Sequence, residues 1–299
     1  MESVRSAKVI TLADNLVYDN RLLGQWGFSA FIEVVDKNRG VHHIVFDTGS
    51  KKQALLFNIK ALKIDLSSLE FIVLSHGHYD HTSATVELVK NSRRKVRVLV
   101  HPYTFLPRFQ IRKKKRKHIG VPKGEREVDI GKAGGQIVET TKPKEIVPGV
   151  ITSGEIKRTN PFEKITWRNV KTIIEGKQVM DKIPEDQALY INIEKHGLLA
   201  IVGCAHAGIV NTLDHAVAMT GEKKLYGFIG GTHLIKPKEQ RLNETIKRLK
   251  DYDLKLMAPS HCTGHKGMTV LNHNFSDAFV LNYAGRTIDT SKKLKDKVF

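Results

Sequence analysis

Three imidazoles and a carboxylate fall within six residues of this chain, in Ser75-His76-Gly77-His78-Tyr79-Asp80-His81. Nitrogen and oxygen donors of this kind suit Zn²⁺, Mn²⁺ or Fe²⁺ better than Ca²⁺ or Mg²⁺, which favour all-oxygen sites. A glycine between the first two histidines permits a tight backbone path. His76 and His78 are therefore expected to face one point, and Asp80 and His81 a neighbouring one. Two cations held a few ångströms apart can share a hydroxide and bring its pKa toward neutrality. The bland alternative is a loop of surface histidines. The cluster follows directly on the apolar run Phe71-Ile72-Val73-Leu74, and that placement at a buried strand end speaks against it.

Such a turn needs a scaffold. Short stretches rich in Val, Ile and Phe predict strands at Lys8–Leu12, Phe28–Val35, His42–Phe46, Phe71–Leu74 and Val96–Val100, with helical spacing at Lys51–Leu62 and Thr82–Lys90. The second half predicts strands at Val150–Thr152, Leu189–Glu194, Leu198–Val202, Leu225–Ile229 and Leu254–Met257, and helices at Ile209–Met219 and Glu239–Leu249. Residues 106–135 carry the basic run Arg112–Lys117 followed by Gly and Pro, without periodic apolar spacing, and are expected to form an inserted basic loop. Ser291–Lys297 reads as a charged tail. Strands followed by βα units, twice over, imply an α+β fold of two mixed sheets packed together with helices outside. With no repeat and no linker, residues 1–299 are expected to form a single domain.

His-x-His-x-Asp-His after a β-strand resembles the signature of the metallo-β-lactamase superfamily. Phe46-Asp47-Thr48-Gly49 resembles its first motif. Gly203-Cys204-Ala205-His206-Ala207-Gly208 and Ser260-His261-Cys262-Thr263-Gly264 lie where its later motifs belong. The resemblance implies an αββα sandwich with one or two divalent ions (Zn, Mn or Fe) at one edge. It implies that His76 and His78 hold the first metal with a third ligand from the second half. Asp80, His81 and His261 would hold the second, and Asp47 would support the loop. Many members place a His before the second-half strand pair and a bridging Asp after it. This chain has Glu185-Asp186-Gln187 and Cys204 there, which makes His206 the natural substitute ligand and leaves the parts of Asp186 and Cys204 open. Asp80 and His206 are also the candidates for a direct part in catalysis. A finer resemblance, carried by Asp14-Asn15, Gly27-Phe28-Ser29, Gly154-Glu155-Ile156, Asp186-Gln187-Ala188-Leu189, Ile209-Val210-Asn211-Thr212 and Gly230-Gly231-Thr232-His233-Leu234, points to the subgroup that includes the dihydropterin–ribofuranosylaminobenzene-phosphate synthases of methanopterin biosynthesis. It implies a transferase acting on phosphorylated pterin precursors. His233, at a strand end, and Arg158 and Asn160, in a polar loop, are candidate substrate contacts; a structural role for each is the alternative.

Lys and Arg number 49 against 31 Asp and Glu, a net charge of +18 that favours anionic partners. A heat-adapted, Lys-rich surface is the bland reading, but Glu does not keep pace with Lys. A metal-dependent hydrolase of a phosphodiester, ester or lactone is the alternative chemistry. Nucleic-acid processing is a further one, supported by Arg112–Lys117 and Ser92–Arg97 but weakened by the lack of interleaved aromatics for base stacking. Without a Gly-x-Gly-x-x-Gly strand–helix turn, a dinucleotide enzyme is not expected. Two cysteines and no leader-like segment suggest a reducing, cytoplasmic setting, and no apolar run approaches the roughly 20 residues of a membrane span. Replacing His78 or His81 by Ala is expected to lower bound metal and activity together. Metal analysis of chelator-free preparations beside a rate measurement checks this, and a variant keeping both in full would remove that residue from the ligand set.

Overall fold

Alternate residues of the same strands look in opposite directions, and here each direction finds a different core. A computed structural model describes residues 1–113, 115–165 and 169–292; Lys114 of the basic run and residues 293–297 of the expected tail lie outside them. Ile32, Ile44, Phe46, Phe71 and Val73 pack against Leu189, Ile191, Leu199, Ile201 and Ile229 from a second sheet. Their neighbours Phe31, Val45, Ile72 and Val98 face outward, onto Leu55, Ile59, Val86 and Val89 of the helices Lys52–Ala61 and Thr85–Lys90. On the far side, Tyr190, Ala200, Val202 and Phe228 are covered by Ile209–Thr220, Glu239–Leu249 and Gly264–Asn274. Strands buried on both faces read as continuous apolar runs, which is why the central ones are plain in the sequence.

The first sheet has seven strands in the order Thr287–Asp289, Ser6–Ala13, Ser29–Val35, Val41–Phe46, Leu69–Val73, Arg97–Val100, Gln136–Glu139. The second has six, Leu256–Ser260, Leu225–Gly231, Gly197–Val202, Ala188–Ile193, Val150–Thr152, Lys144–Val147. This is the expected αββα sandwich. Val41–Phe46, Leu69–Val73 and Arg97–Val100 run parallel, as do Gly197–Val202, Leu225–Gly231 and Leu256–Ser260. Asp47, the 76–81 turn, Cys204 and His206, His233 and His261 all follow the carboxyl ends of these parallel strands, where open α/β sheets place their ligands.

The segment 106–135 differs from the expected loop. It contains the strands Arg108–Arg112 and Lys115–His118 and the helix Glu127–Lys132. The two strands form a hairpin that joins Val170–Ile174 and Lys177–Met180 in a four-stranded antiparallel sheet. No apolar periodicity announces it, because Lys115–His118 is exposed throughout and the buried anchor is an arginine. Arg108, 1% exposed, pairs with Asp181 at 3.0 Å and closely with Glu185, and donates to the carbonyls of Tyr103, Thr104 and Leu106. The helix expected over 82–90 is broken at Ser83–Ala84, where the Ala84 N–H turns to the Thr48 hydroxyl. The helix Gly264–Asn274 is absent from the sequence expectations; Gly264 and Gly267 lower its helical propensity.

Arg108 also bears on the metal loop. A Cβ at Gly77 would lie 1.9 Å from the Thr104 carbonyl oxygen and 2.5 Å from an Arg108 nitrogen. Gly77 is thus required by close approach, and its φ is not among the positive values. Arg108→Met leaves two buried carboxylates without their counter-ion. It is expected to cost roughly 3–5 kcal/mol, read from the denaturant midpoint at constant slope; a loss under about 1 kcal/mol would show that the cluster is not the hairpin's anchor.

Candidate metal centre

Asp47 sits one residue past its strand, wholly buried, with φ 57°. Its carboxylate accepts from the Ser75 N–H and hydroxyl, both at 2.7 Å, and from His81 Nδ1 at 2.6 Å. With the Ser75 hydroxyl donating to Asp47, the contact from His76 Nδ1 to Ser75 Oγ at 2.9 Å makes His76 the donor. Protons on both Nδ1 atoms leave both Nε2 lone pairs facing inward, the arrangement in which outer carboxylates fix imidazole ligands.

Those lone pairs meet others. His76 Nε2 lies 3.0 Å from His78 Nδ1 and 3.2 Å from His206 Nε2. His81 Nε2 lies 3.2 Å from Cys204 Sγ and 3.8 Å from Asp80 Oδ2, which is itself 3.5 Å from His261 Nε2. Two sets of ligand atoms, His76–Cys204–His206 and His81–Cys204–His261, are each mutually within 4.8 Å, and Cys204 belongs to both. The six residues expected at the metals are therefore brought together, and the sulfur left open by the sequence lies between the two sets. Its signal was its place two residues before His206.

Burial, reinforced by facing imidazoles, holds His76 and His206 well below the usual histidine range; burial also pushes His78 down to about 3 and His233 to about 4. Neutral imidazoles are the ligating form. Burial opposes charge on His81 as well, but the carboxylates of Asp47 and Asp80 outweigh it and raise its pKa. Burial likewise works against the Asp80 carboxylate, yet His81, His261 and His78 keep it well below the ordinary carboxylate range.

The second-half loops are held by carboxylates too. Asp186 Oδ2 accepts from the Ala207 N–H at 2.7 Å. Glu163 caps the helix Ile209–Thr220, accepting from Val210 N at 3.0 Å and Asn211 N at 2.7 Å. It passes so close to Gly208 (φ 104°) that a Cβ there would meet Glu163 at 2.1 Å. His261 is tied to the first strand's end, its N–H donating to Asp14 at 2.9 Å and its Nδ1 lying 3.1 Å from Asn15 Oδ1.

Of the expected substrate contacts, His233 stands beside His206, ring centroids 4.7 Å apart, and both line a cavity of about 330 Å³ rimmed by Arg112, Lys236 and Arg241. Arg158 is exposed and donates to the Ile183 carbonyl at 2.7 Å. Asn160 spends its amide on Asn211 and Asp214, at 2.9 and 3.1 Å, and so fastens its loop to a helix. Neither lines that cavity. Lys236 and Arg241 escaped the sequence reading because no motif surrounds them.

The sandwich, the strand-end turn and its partners define a known class: the chain belongs to the metallo-beta-lactamase superfamily, whose model matches residues 29–176. It is 33% identical over 294 residues, 95% of this chain and 97% of the relative, to the 7,8-dihydropterin-6-methyl-4-(beta-D-ribofuranosyl)-aminobenzene-5'-phosphate synthase of Methanocaldococcus jannaschii. It is 31% identical over 277 residues, 93% of this chain and 98% of the relative, to an uncharacterized protein, MJ0448, of that organism. The crystal structure of Tm1679, titled a metal-dependent hydrolase of the beta-lactamase superfamily, shares the fold with a TM-score of 0.77 and 22% identity, covering 94% of this chain and 98% of that one. Among the described residues no helix is long and apolar enough to cross a membrane.

Burial raises the Glu163 carboxyl to about 7 from an ordinary 4.5, against the pull of its two backbone donors. The folded state therefore binds this proton more tightly than the unfolded chain, and the stability gained is lost as pH rises from about 4.5 through 7. Glu163→Gln keeps an acceptor for the helix and removes the titration. The stability of wild type relative to this variant should fall across that window in parallel denaturation series, and curves with the same slope would contradict it.

Proposed function

We propose that the chain is a metal-dependent transferase that joins a dihydropterin, activated as its methyl diphosphate, to the amine of a ribofuranosyl-aminobenzene 5′-phosphate. The new bond runs from the amine nitrogen to the pterin methylene carbon. The carbon–oxygen bond to diphosphate breaks, diphosphate leaves with the electron pair, and the amine loses a proton. The observation that carries the reading is a buried set of imidazoles, Asp80 and Cys204 opening on a cation-rimmed cavity, in a chain that matches such a synthase along nearly its whole length.

The donor set fits one or two divalent transition ions: nitrogen, sulfur and a single carboxylate, converging and shielded from water. His76, His78 and His206 would hold one, and Asp80, His81 and His261 the other, with Cys204 shared between them. When bound, such ions act as Lewis acids toward the departing phosphates. The chain's own residues do the rest. Asp47 and Ser75 fix the tautomers and aim of His81 and His76. His233, neutral and beside His206, is placed to orient substrate. Arg112, Lys236 and Arg241 neutralise phosphate charge.

Purified protein given both substrates with Zn, Mn, Fe or Mg should yield the condensed pterin by mass spectrometry, and His76→Ala should yield none. Diphosphate release without the joined product would convert the reading to hydrolysis. No product with any of the four metals would overturn it.

A further inference from the structure

The site is bordered by two cavities of different chemistry. The first, about 330 Å³, opens on His206 and His233 and carries Arg112, Lys236 and Arg241. Among the described residues, no carboxylate and no Phe, Tyr or Trp lines it. Arg241 Nε is buried without a hydrogen-bond partner among the described residues. The second, about 570 Å³, carries Trp26, Tyr79, Lys51, Lys117 and His118. Among the described residues it too has no carboxylate, and it shares no lining residue with the first. Trp26 is 44% exposed and stands edge-on to His261, ring centroids 4.9 Å apart. Gln25 lines this cavity and is 7% exposed. Its carbonyl oxygen takes the Ser50 and Lys51 N–H groups, while its Nε2 has no partner among the described residues.

Each of these mouths meets one of the two candidate ligand sets. One mouth reaches His206, of the His76–Cys204–His206 set; the other reaches His261, of the second set, through Trp26. The hairpin that the sequence disguised as a loop serves both. Arg112 pairs with Lys115 near its tip and enters the first cavity; His118, paired with Phe109, enters the second with Lys117. Three residues of strand separate these positions, roughly 10 Å.

We propose that two different molecules enter the site from two sides at once. A sugar phosphate is held by its phosphate in the mouth of Arg112, Lys236 and Arg241, where three cations suit a phosphate dianion. A planar heteroaromatic ring stacks on Trp26 in the other mouth, with the Gln25 amide as a donor to a ring acceptor. The inference rests on the joining reaction proposed above, and it names which wall of the site takes which substrate.

Binding, not turnover, tests it. Ribose 5-phosphate and 6-hydroxymethyl-7,8-dihydropterin serve as probes with the metal-loaded protein. Each should bind with unchanged affinity, within about 2-fold, when the other saturates. Arg241→Gln and Lys236→Ser should each weaken the sugar phosphate about 10-fold or more and leave the pterin unaffected; Trp26→Ala should do the reverse, since one charge-assisted hydrogen bond or one stacked ring is worth about that factor. Competition between the probes, or variants that weaken both or neither, would overturn the proposal. Independent binding without a joined product from the true substrates would instead remove the synthase reading and leave a two-substrate enzyme of another kind. A joined product with competing probes would do the opposite.

Discussion

Asp47 receives three hydrogen bonds from the turn it organises, two from Ser75 and one from His81. It does so with no exposure to water, where a carboxylate is costly unless its lone pairs are filled. The loop from the other sheet closes on the same group: a Cβ at Gly203 would stand 2.1 Å from Ser75 Oγ and 2.5 Å from Asp47 Oδ2. The two halves of the sandwich thus meet on one carboxylate, and the aim of His76 and His81 follows from its lone-pair directions. An amide in its place would turn a donor toward a donor.

This arrangement strains the backbone. Asp47, Ala205, His233 and His261 all have φ between 48° and 57°, in the left-handed region that side chains with a Cβ rarely adopt. All four lie just beyond parallel strands. Such conformations cost of order 1–3 kcal/mol each and persist where surrounding structure over-determines them. Here that is done by Ser75, by Cys262, whose sulfur takes the His233 N–H at 3.3 Å, and by Asp14, which takes the His261 N–H.

The doubly covered central strands and the 76–81 turn were legible because burial on both faces writes continuous apolar runs, and because metal-ligating residue types are rare in such density. The two-sheet order followed from the alternation of strands and βα units. What stayed hidden was decided by polar burial. Arg108 anchors a strand that hydropathy cannot register, since its stabilisation comes from Asp181, Glu185 and three carbonyls. Asn160 looked free in a polar loop, yet Asn211 and Asp214 engage its amide. Cys204 was ambiguous because a small buried thiol and a ligand look alike until two imidazole sets are seen on either side of it.

The tie between Asp14 and His261 spans 247 positions of the chain. A nascent polypeptide emerging from the ribosome displays its histidine turn long before it can supply the wall opposite. During that interval the turn lacks the partners that Cys204, His206 and His261 supply. On the metal-dependent reading, both ligand sets would be complete only once the chain beyond Ser260 has been made, since His261 follows the strand Leu256–Ser260.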